Sequence, residues 1–126
     1  MNRLDTSSIL IGNSFPLSLI RRAVRIVPID KEELFTTIKD RQIASFWGHS
    51  NTLTAVNGWL EIDLTPKTER PALCLSDDKL PQLDGVEYRE CFILSPDYRP
   101  GFRPAIGMEV AKEDILGWQV LRITWK

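Results

Sequence analysis

The chain contains a single histidine, and its neighbours give it a setting in which it could do chemistry. Gly48-His49-Ser50 follows the apolar residues 43–47 and precedes residues 53–60, whose apolar positions recur at helical spacing. This pattern predicts a strand, a tight turn and a helix. Gly48 permits a tight backbone, and the Ser50 hydroxyl can cap the helix that follows. The first-turn N–H groups of that helix are then available to bind an anion.

A histidine beside an anion site can carry a proton near neutral pH, because its reference pKa is about 6.5. His49 could then serve as a general acid toward a phosphoester leaving group, a role typically worth about 10²–10⁴-fold in rate. An alternative stays open: His49 fills the turn and bonds a backbone carbonyl. One imidazole rules out mechanisms that need two from one chain and makes a histidine-based zinc site improbable. The sequence also lacks a Gly-x-Ser-x-Gly elbow and a glycine-rich phosphate loop.

A second polar junction, Asn13-Ser14, also follows a short apolar segment and precedes a predicted helical turn that begins at Pro16. If the first and third strands are parallel neighbours, Asn13 and His49 emerge at the same edge of the sheet, where open α/β sheets bind ligands. The alternative is an asparagine chosen only because it tolerates turn conformations.

A third group of candidates lies in the proline- and glycine-rich residues 95–107, which predict a loop. Arg99 and Arg103 could bind phosphate, and the aromatic Tyr98 and Phe102 could stack on bases. Arg70 is a weaker candidate of the same kind. The alternative for all of them is a solvated surface.

Composition limits the classes of function. The chain has 126 residues, of which 43% are apolar and 26% charged, with a net charge of -1. This composition is that of a globular domain and disfavours nonspecific binding to duplex nucleic acid. The sequence shows no signal peptide and no segment long enough to span a membrane, so we expect no membrane association. Cys74 and Cys91 lie in apolar segments without a nearby second cysteine, which predicts two reduced, buried thiols in a cytoplasmic protein.

The elements that must position these residues alternate along the chain. Strands are predicted at 8–11, 24–29, 43–47, 71–75, 88–94 and 118–125, with helices after Pro16 and at 30–40, 53–60 and 110–116. Asp30 followed by Glu33 predicts a capped start for the second of these helices. The fold class is therefore α/β: one domain spanning residues 1–126, with a mixed sheet of about five strands and helices packed on it.

The ordered set of motifs resembles a known family. Asn13-Ser14-Phe15 before an apolar helix, then Ile29-Asp30, then Gly48-His49-Ser50-Asn51-Thr52 opening a helix, are similar in order and spacing to the YddF-like proteins. That group includes the viral anti-CRISPR ring nucleases. The resemblance covers roughly residues 8–76.

The resemblance implies a homodimer that binds cyclic tetra-adenylate, the second messenger of type III CRISPR defence, and cuts it without metal or other cofactor. It assigns the acid role to His49. It implies ribose or phosphate contacts for Asn13, with Ser14, Ser50 and Asn51 beside it, and further phosphate contacts for Arg70, Arg99 and Arg103. A twofold dimer would present two copies of His49 to a twofold-symmetric ring.

The chain departs from the family pattern at several positions. Gly48-His49-Ser50-Asn51-Thr52 stands where the family has Gly-His-x-Ser-Thr. Pro16 replaces a serine hydroxyl, which Ser14 or Ser18 would have to supply. Phe102 stands three residues after Arg99, where the family has a glutamate, so no acidic helper is assigned. Two other functions therefore stay open: a module that sequesters a nucleotide without cutting it, and a protein-interaction factor that uses exposed Trp47, Trp59 or Trp125.

Overall fold

The computed structural model describes residues 3–4, 8–39, 41–47, 53–61, 73–103, 110 and 112–126. The strands in chain order are β1 (Arg3–Leu4), β2 (Ser8–Gly12), β3 (Val24–Ile29), β4 (Gln42–Ser45), β5 (Leu73–Leu75), β6 (Pro81–Leu83), β7 (Val86–Glu87), β8 (Glu90–Tyr98) and β9 (Ile115–Trp125). The α-helices are α1 (Lys31–Ile38) and α2 (Leu53–Leu60), and two 3₁₀ turns span Leu17–Leu19 and Lys112–Asp114.

The main sheet has five strands in the order β3-β9-β8-β2-β4. β2 is parallel to both β4 and β8, whereas β9 is antiparallel to β8 and β3. Four strands therefore point the same way, and β2, β3, β4 and β8 end at one edge, which we call the carboxyl edge. The predicted mixed α/β sheet of about five strands is confirmed.

Each face of this sheet carries its own apolar core, because side chains alternate between faces along a strand. On one face Ile9, Ile11 and Phe92 pack with Leu34 of α1 and Val56 of α2. The predicted helices thus cover this face.

The other face is covered by a second, four-stranded sheet in the order β1-β7-β6-β5. Leu10, Cys91 and Ile93 of the main sheet pack there against Leu80 and Leu83. The sequence analysis did not predict strands β6 and β7. The sequence contained a usable signal, because Asp-Gly is a favoured pair in two-residue hairpin turns. Asp84 and Gly85 lie between β6 and β7 and have the positive φ angles, 52° and 82°, that such a turn requires.

Local sequence explains the start of α1. The Asp30 side chain accepts a hydrogen bond of 2.8 Å from the Glu33 N–H, as the capping pattern predicts. Leu34 and Ile38 form the buried side of the helix. The turn after Pro16 is a single 3₁₀ turn, and its Leu17 is 79% exposed, so the predicted apolar side is wrong there.

Two predictions for the C-terminal third are wrong. Residues 95–98, predicted as loop, continue β8 because their backbone pairs with β9 as far as Tyr98 opposite Ile115. The predicted helix at 110–116 is reduced to the 3₁₀ turn Lys112–Asp114, after which β9 begins at Ile115. Long-range pairing in an extended β8–β9 hairpin outweighs the local proline and helix signals.

The two cysteines differ. Cys91 is fully buried in β8, as predicted, and burial raises its pKa well above the ordinary value. Cys74 is exposed, so that prediction is wrong. β5 is only three residues long and alternates, which turns the Cys74 side chain away from the core.

Candidate functional site

The candidate site is built on two neighbouring parallel strands that end together. Ile11 of β2 lies opposite Ser45 of β4, and the Phe46 N–H donates to the Ile11 carbonyl at 3.0 Å. Asn13 follows directly after β2, and the residues after Trp47 follow β4. The first and third predicted strands are parallel neighbours, which meets the condition set in the sequence analysis, and the half-buried Asn13 lies at the carboxyl edge.

The end of β2 is tightly packed. A Cβ atom added at Gly12 would lie 2.4 Å from Cε2 of Phe46, which is shorter than any normal contact. Phe46 also makes an edge-to-face contact with Phe15, with ring centroids 6.2 Å apart. Glycine is therefore required sterically immediately before Asn13, and the aromatic pair fixes the direction in which the chain leaves the strand.

The segment that leads to the histidine is anchored from the sheet side. Trp47 is fully buried, and its backbone N–H donates to the Ser45 hydroxyl at 3.2 Å. Its ring packs against Trp118 of β9 at a centroid distance of 6.1 Å. Because α2 begins at Leu53, residues 48–52 join a fixed strand end to a helix on the sheet face.

Four of the predicted site residues lie outside the described residues: His49, Ser50, Asn51 and Arg70. Of the remaining candidates, Ser14 is exposed beside Asn13, while Arg99 and Arg103 are exposed beyond the end of β8. The described part of the site is therefore its sheet edge, with Asn13 and Ser14.

Arg99 is organised by the β8–β9 hairpin. Its Nε donates to Oδ1 of Asp114 at 2.8 Å, and its guanidinium carbon lies 4.9 Å from the centroid of the Phe102 ring. Its N–H also donates to the Asp114 carbonyl at 2.9 Å. Phe102 stands where the resemblance predicts a glutamate. Its ring stacks on the Arg99 guanidinium.

The hairpin extends well past the end of β2. Gly12 lies opposite Ile93 in β8, and β8 continues for five residues beyond Ile93 to Tyr98. At about 3.3 Å per residue this is about 16 Å along the strand. Tyr98 packs on Phe102 at a centroid distance of 5.4 Å, and desolvation raises the pKa of its phenol. The described contacts join Arg99 to its own hairpin and do not include Asn13.

One ionic cluster was missed by the sequence analysis. Glu90 at the start of β8 is nearly buried and pairs with Arg41 and with Arg122, whose Nε donates to Glu90 Oε2 at 2.8 Å. The cluster lies where β8 begins, opposite the carboxyl edge. A signal in the sequence was the charged Arg122 within the alternating pattern of β9. The approach of Arg41 to Glu90, in contrast, depends on the fold.

The aromatic residues proposed for an interaction surface are largely internal. Trp47 and Trp125 are 0% and 3% exposed, so both belong to the core and the hypothesis that they are exposed is wrong. Trp59 is half-buried on α2.

No helix within the described residues is long and apolar enough to cross a membrane. In the same residues no three His, Cys, Asp or Glu side chains come close enough together to hold a metal ion.

Comparison with known proteins finds similarity to solved structures. No family model and no curated protein matches the chain. Among solved structures, the chain is similar to B116 of Sulfolobus turreted icosahedral virus, with a TM-score of 0.58 and 15% identity, covering 94% of this chain and 99% of that one. At this identity the likeness shows that the fold is shared with a viral protein, and the resemblance to the YddF-like group stays a prediction.

Proposed function

We propose that the chain binds a cyclic oligoadenylate, with cyclic tetra-adenylate as the first candidate, at the carboxyl edge of the main sheet and cleaves it without a metal. One observation carries the proposal. β2 and β4 are parallel, adjacent and in register at Ile11 and Ser45, so both strands end at the edge of the sheet where Asn13 lies. His49 follows the end of β4 by four residues in the sequence, and the proposal puts it at that edge.

The proposed reaction is an internal transfer at one phosphodiester of the ring. A ribose 2′-oxygen attacks the adjacent phosphorus and forms a new P–O bond, while the bond from phosphorus to the 5′-oxygen breaks. Protonated His49 gives its proton to the departing 5′-oxygen, and the 2′-hydroxyl proton passes to solvent. The products carry a 2′,3′-cyclic phosphate and a 5′-hydroxyl, so neither water nor a metal enters the balance.

The other candidates supply binding. Asn13 and Ser14 would hold a ribose or phosphate at the sheet edge, and Ser50 and Asn51 would do so from the start of α2. Arg70, Arg99 and Arg103 would contribute phosphate contacts. A homodimer would place two copies of His49 around a twofold ring.

A second candidate function is sequestration without cleavage. The contacts of Arg99 favour this second function. Asp114 and Phe102 already hold its guanidinium, which is therefore less free to stabilise the negative charge that develops at the phosphate during cleavage. Binding would then persist through the remaining contacts while turnover is slow.

The experiment that separates the two candidate functions compares His49→Ala and His49→Gln with the wild type. The control variant is Lys39→Ala, which removes an exposed cationic side chain at the end of α1. Affinity is measured by calorimetry and cleavage by product analysis. The proposal expects both His49 variants to bind like the wild type and to cut at least about 10²-fold more slowly. Equal cleavage by wild type and His49→Ala removes the acid role, and binding with no cleavage by any protein favours sequestration.

A further inference from the structure

A cavity of about 410 Å³ lies on the helix-covered face of the main sheet, between α1, α2 and the start of β9. Its described walls include Lys31, Ala55, Gly58, Trp59, Glu61 and Trp118. We propose that this cavity is a second ligand site, which binds a flat aromatic nitrogen heterocycle that carries an anionic group. Its volume is within the range of small-molecule sites.

The aromatic wall of the cavity selects a flat ligand. The rings of Trp59 and Trp118 are 6.0 Å apart and tilted by 33°, and both side chains are only half-buried. A ring inserted between two others needs a gap of about 7 Å, twice a carbon–carbon contact. The ligand therefore stacks against the open side of this pair rather than between its members. Stacking on an aromatic side chain is typically worth about 10-fold or more in affinity.

Two charged groups at the rim select the polar parts of the ligand. The Lys31 ammonium lies 5.0 Å from the Trp59 ring centroid and 5.1 Å from that of Phe35, and its side chain stays exposed. It is thus held beside the stacking surface, where it can bind a carboxylate or phosphate. Glu61, at the end of α2, is exposed and can accept an N–H from the heterocycle. A ring with a donor and an acidic substituent satisfies both groups.

Gly58 gives independent support, because nothing in the packing explains it. It lies inside α2, where alanine is the more stable choice, and a Cβ added there meets no atom within 4 Å. Ala55, three residues earlier, lies on the same side of the helix and is also small. Gly58 and Ala55 keep the cavity wall recessed, and Gly58 does so at a cost in helix stability, as a binding site would require.

The cavity lies toward the carboxyl edge, because Lys31 follows the end of β3 and the start of β9 pairs with the end of β8. Its described lining does not include Asn13, Ser14, Arg99 or Arg103, so it is distinct from the described part of the proposed oligoadenylate site. The inference does not depend on cleavage by His49, so a His49→Ala protein is expected to bind the heterocycle like the wild type.

The test follows the indole N–H signals of the four tryptophans by NMR during titration. Trp125 packs in the core on the opposite face of the sheet and serves as an internal reference. The probes are AMP and indole-3-acetate, two sources of the same chemistry, with the uncharged adenosine and indole as their partners. We expect at least one anionic probe to shift the Trp59 and Trp118 signals at millimolar concentration, to bind more tightly than its neutral partner, and to leave Trp125 unchanged.

Three variants test the mode of binding, and none of them touches the core. Gly58→Leu fills the cavity and should weaken binding at least about 10-fold, whereas the matched Gly58→Ala keeps most of the space and should bind nearly as the wild type does. Lys31→Met retains the stem over the rings and should remove the preference for the anionic probe. Binding by AMP alone or by indole-3-acetate alone identifies the source. The proposal is overturned if no probe binds, if Trp125 shifts as much as Trp59, or if Gly58→Leu binds unchanged.

Discussion

Ser45 lies directly opposite Ile11 in the parallel pair of β4 and β2, and the hydrogen bond from the Phe46 N–H to the Ile11 carbonyl closes the pair at 3.0 Å. This register makes the two strands end at the same level. Asn13 follows β2 at this edge, and the proposed function places His49, which follows β4 in the sequence, at the same edge. The proposed function depends on this relationship more than on any single side chain.

The contact between Gly12 and Phe46 predicts a specific steric defect. Gly12→Ala places a Cβ 2.4 Å from the Phe46 ring, so either the ring or the end of β2 must move. We expect a loss of about 2 kcal/mol in the free energy of unfolding, measured by urea denaturation, together with weaker ligand binding at the carboxyl edge.

The matched control is Gly58→Ala, where the added Cβ meets open space inside a helix. It should stabilise the protein by about 0.5–1 kcal/mol. If the two alanine variants have the same stability, the close packing at Gly12 does not hold in solution.

The Glu90 cluster predicts a second stability effect. Glu90→Gln preserves the size of the side chain but leaves Arg41 and Arg122 without the carboxylate that joins them. The two arginines are 24% and 34% exposed, so solvent compensates in part, and we expect a loss of about 2 kcal/mol rather than the larger penalty of a fully buried pair. Urea unfolding of Glu90→Gln, of Arg41→Met and of the double variant measures the coupling.

The comparison for this cluster is the ion pair of Arg99 and Asp114 at the hairpin, in which the arginine is 51% exposed. Arg99→Met should cost less than about 1 kcal/mol. A larger loss for Arg99→Met than for Glu90→Gln would reverse the assignment of structural roles.

The sequence predicted those elements whose local signals agree with the tertiary fold. Asp30 caps α1 as expected, and the predicted helices cover one face of the sheet. The pairing of β2 with β4 was only a condition in the sequence analysis, because β3 and α1 lie between these strands in the chain. The hairpin of β8 and β9 could not be read locally, because Pro96 suggests a loop while its partner Trp118 lies 22 residues away in the chain. Likewise, only the fold determines which side of a three-residue strand carries Cys74.

The candidate site was predictable only in part. Asn13 could be placed at the end of a strand, but which strand lies beside it depended on the strand order, which the sequence did not determine. The attachment of Arg99 to Asp114 and Phe102 depends on the hairpin register, and the Trp59–Trp118 cavity depends on how α2 lies on the sheet. Neither relationship leaves a pattern in the spacing of residues.

The two cysteines should differ in reactivity. Cys74 is exposed, so a thiol reagent should modify it rapidly in the native protein. Cys91 is buried and its pKa is raised by desolvation, so it should react only when the protein unfolds. In the unfolded chain Cys91 ionises near its ordinary value of 9.0, whereas in the folded protein it stays protonated, so its contribution to stability should decrease as pH rises above about 9.

Ellman titration of native and denatured protein counts the two classes of thiol, with Cys74→Ser as the control that removes the fast phase. One fast thiol in the native state and two in denaturant is the expected result. Two fast thiols in the native state would place Cys91 outside the core.

The central claim is tested most directly by incubating the wild-type protein with cyclic tetra-adenylate in EDTA and identifying the products by mass spectrometry. The account predicts binding and linear products that end in a 2′,3′-cyclic phosphate and a 5′-hydroxyl. Absence of both binding and products, or cleavage that requires an added metal ion, would contradict it.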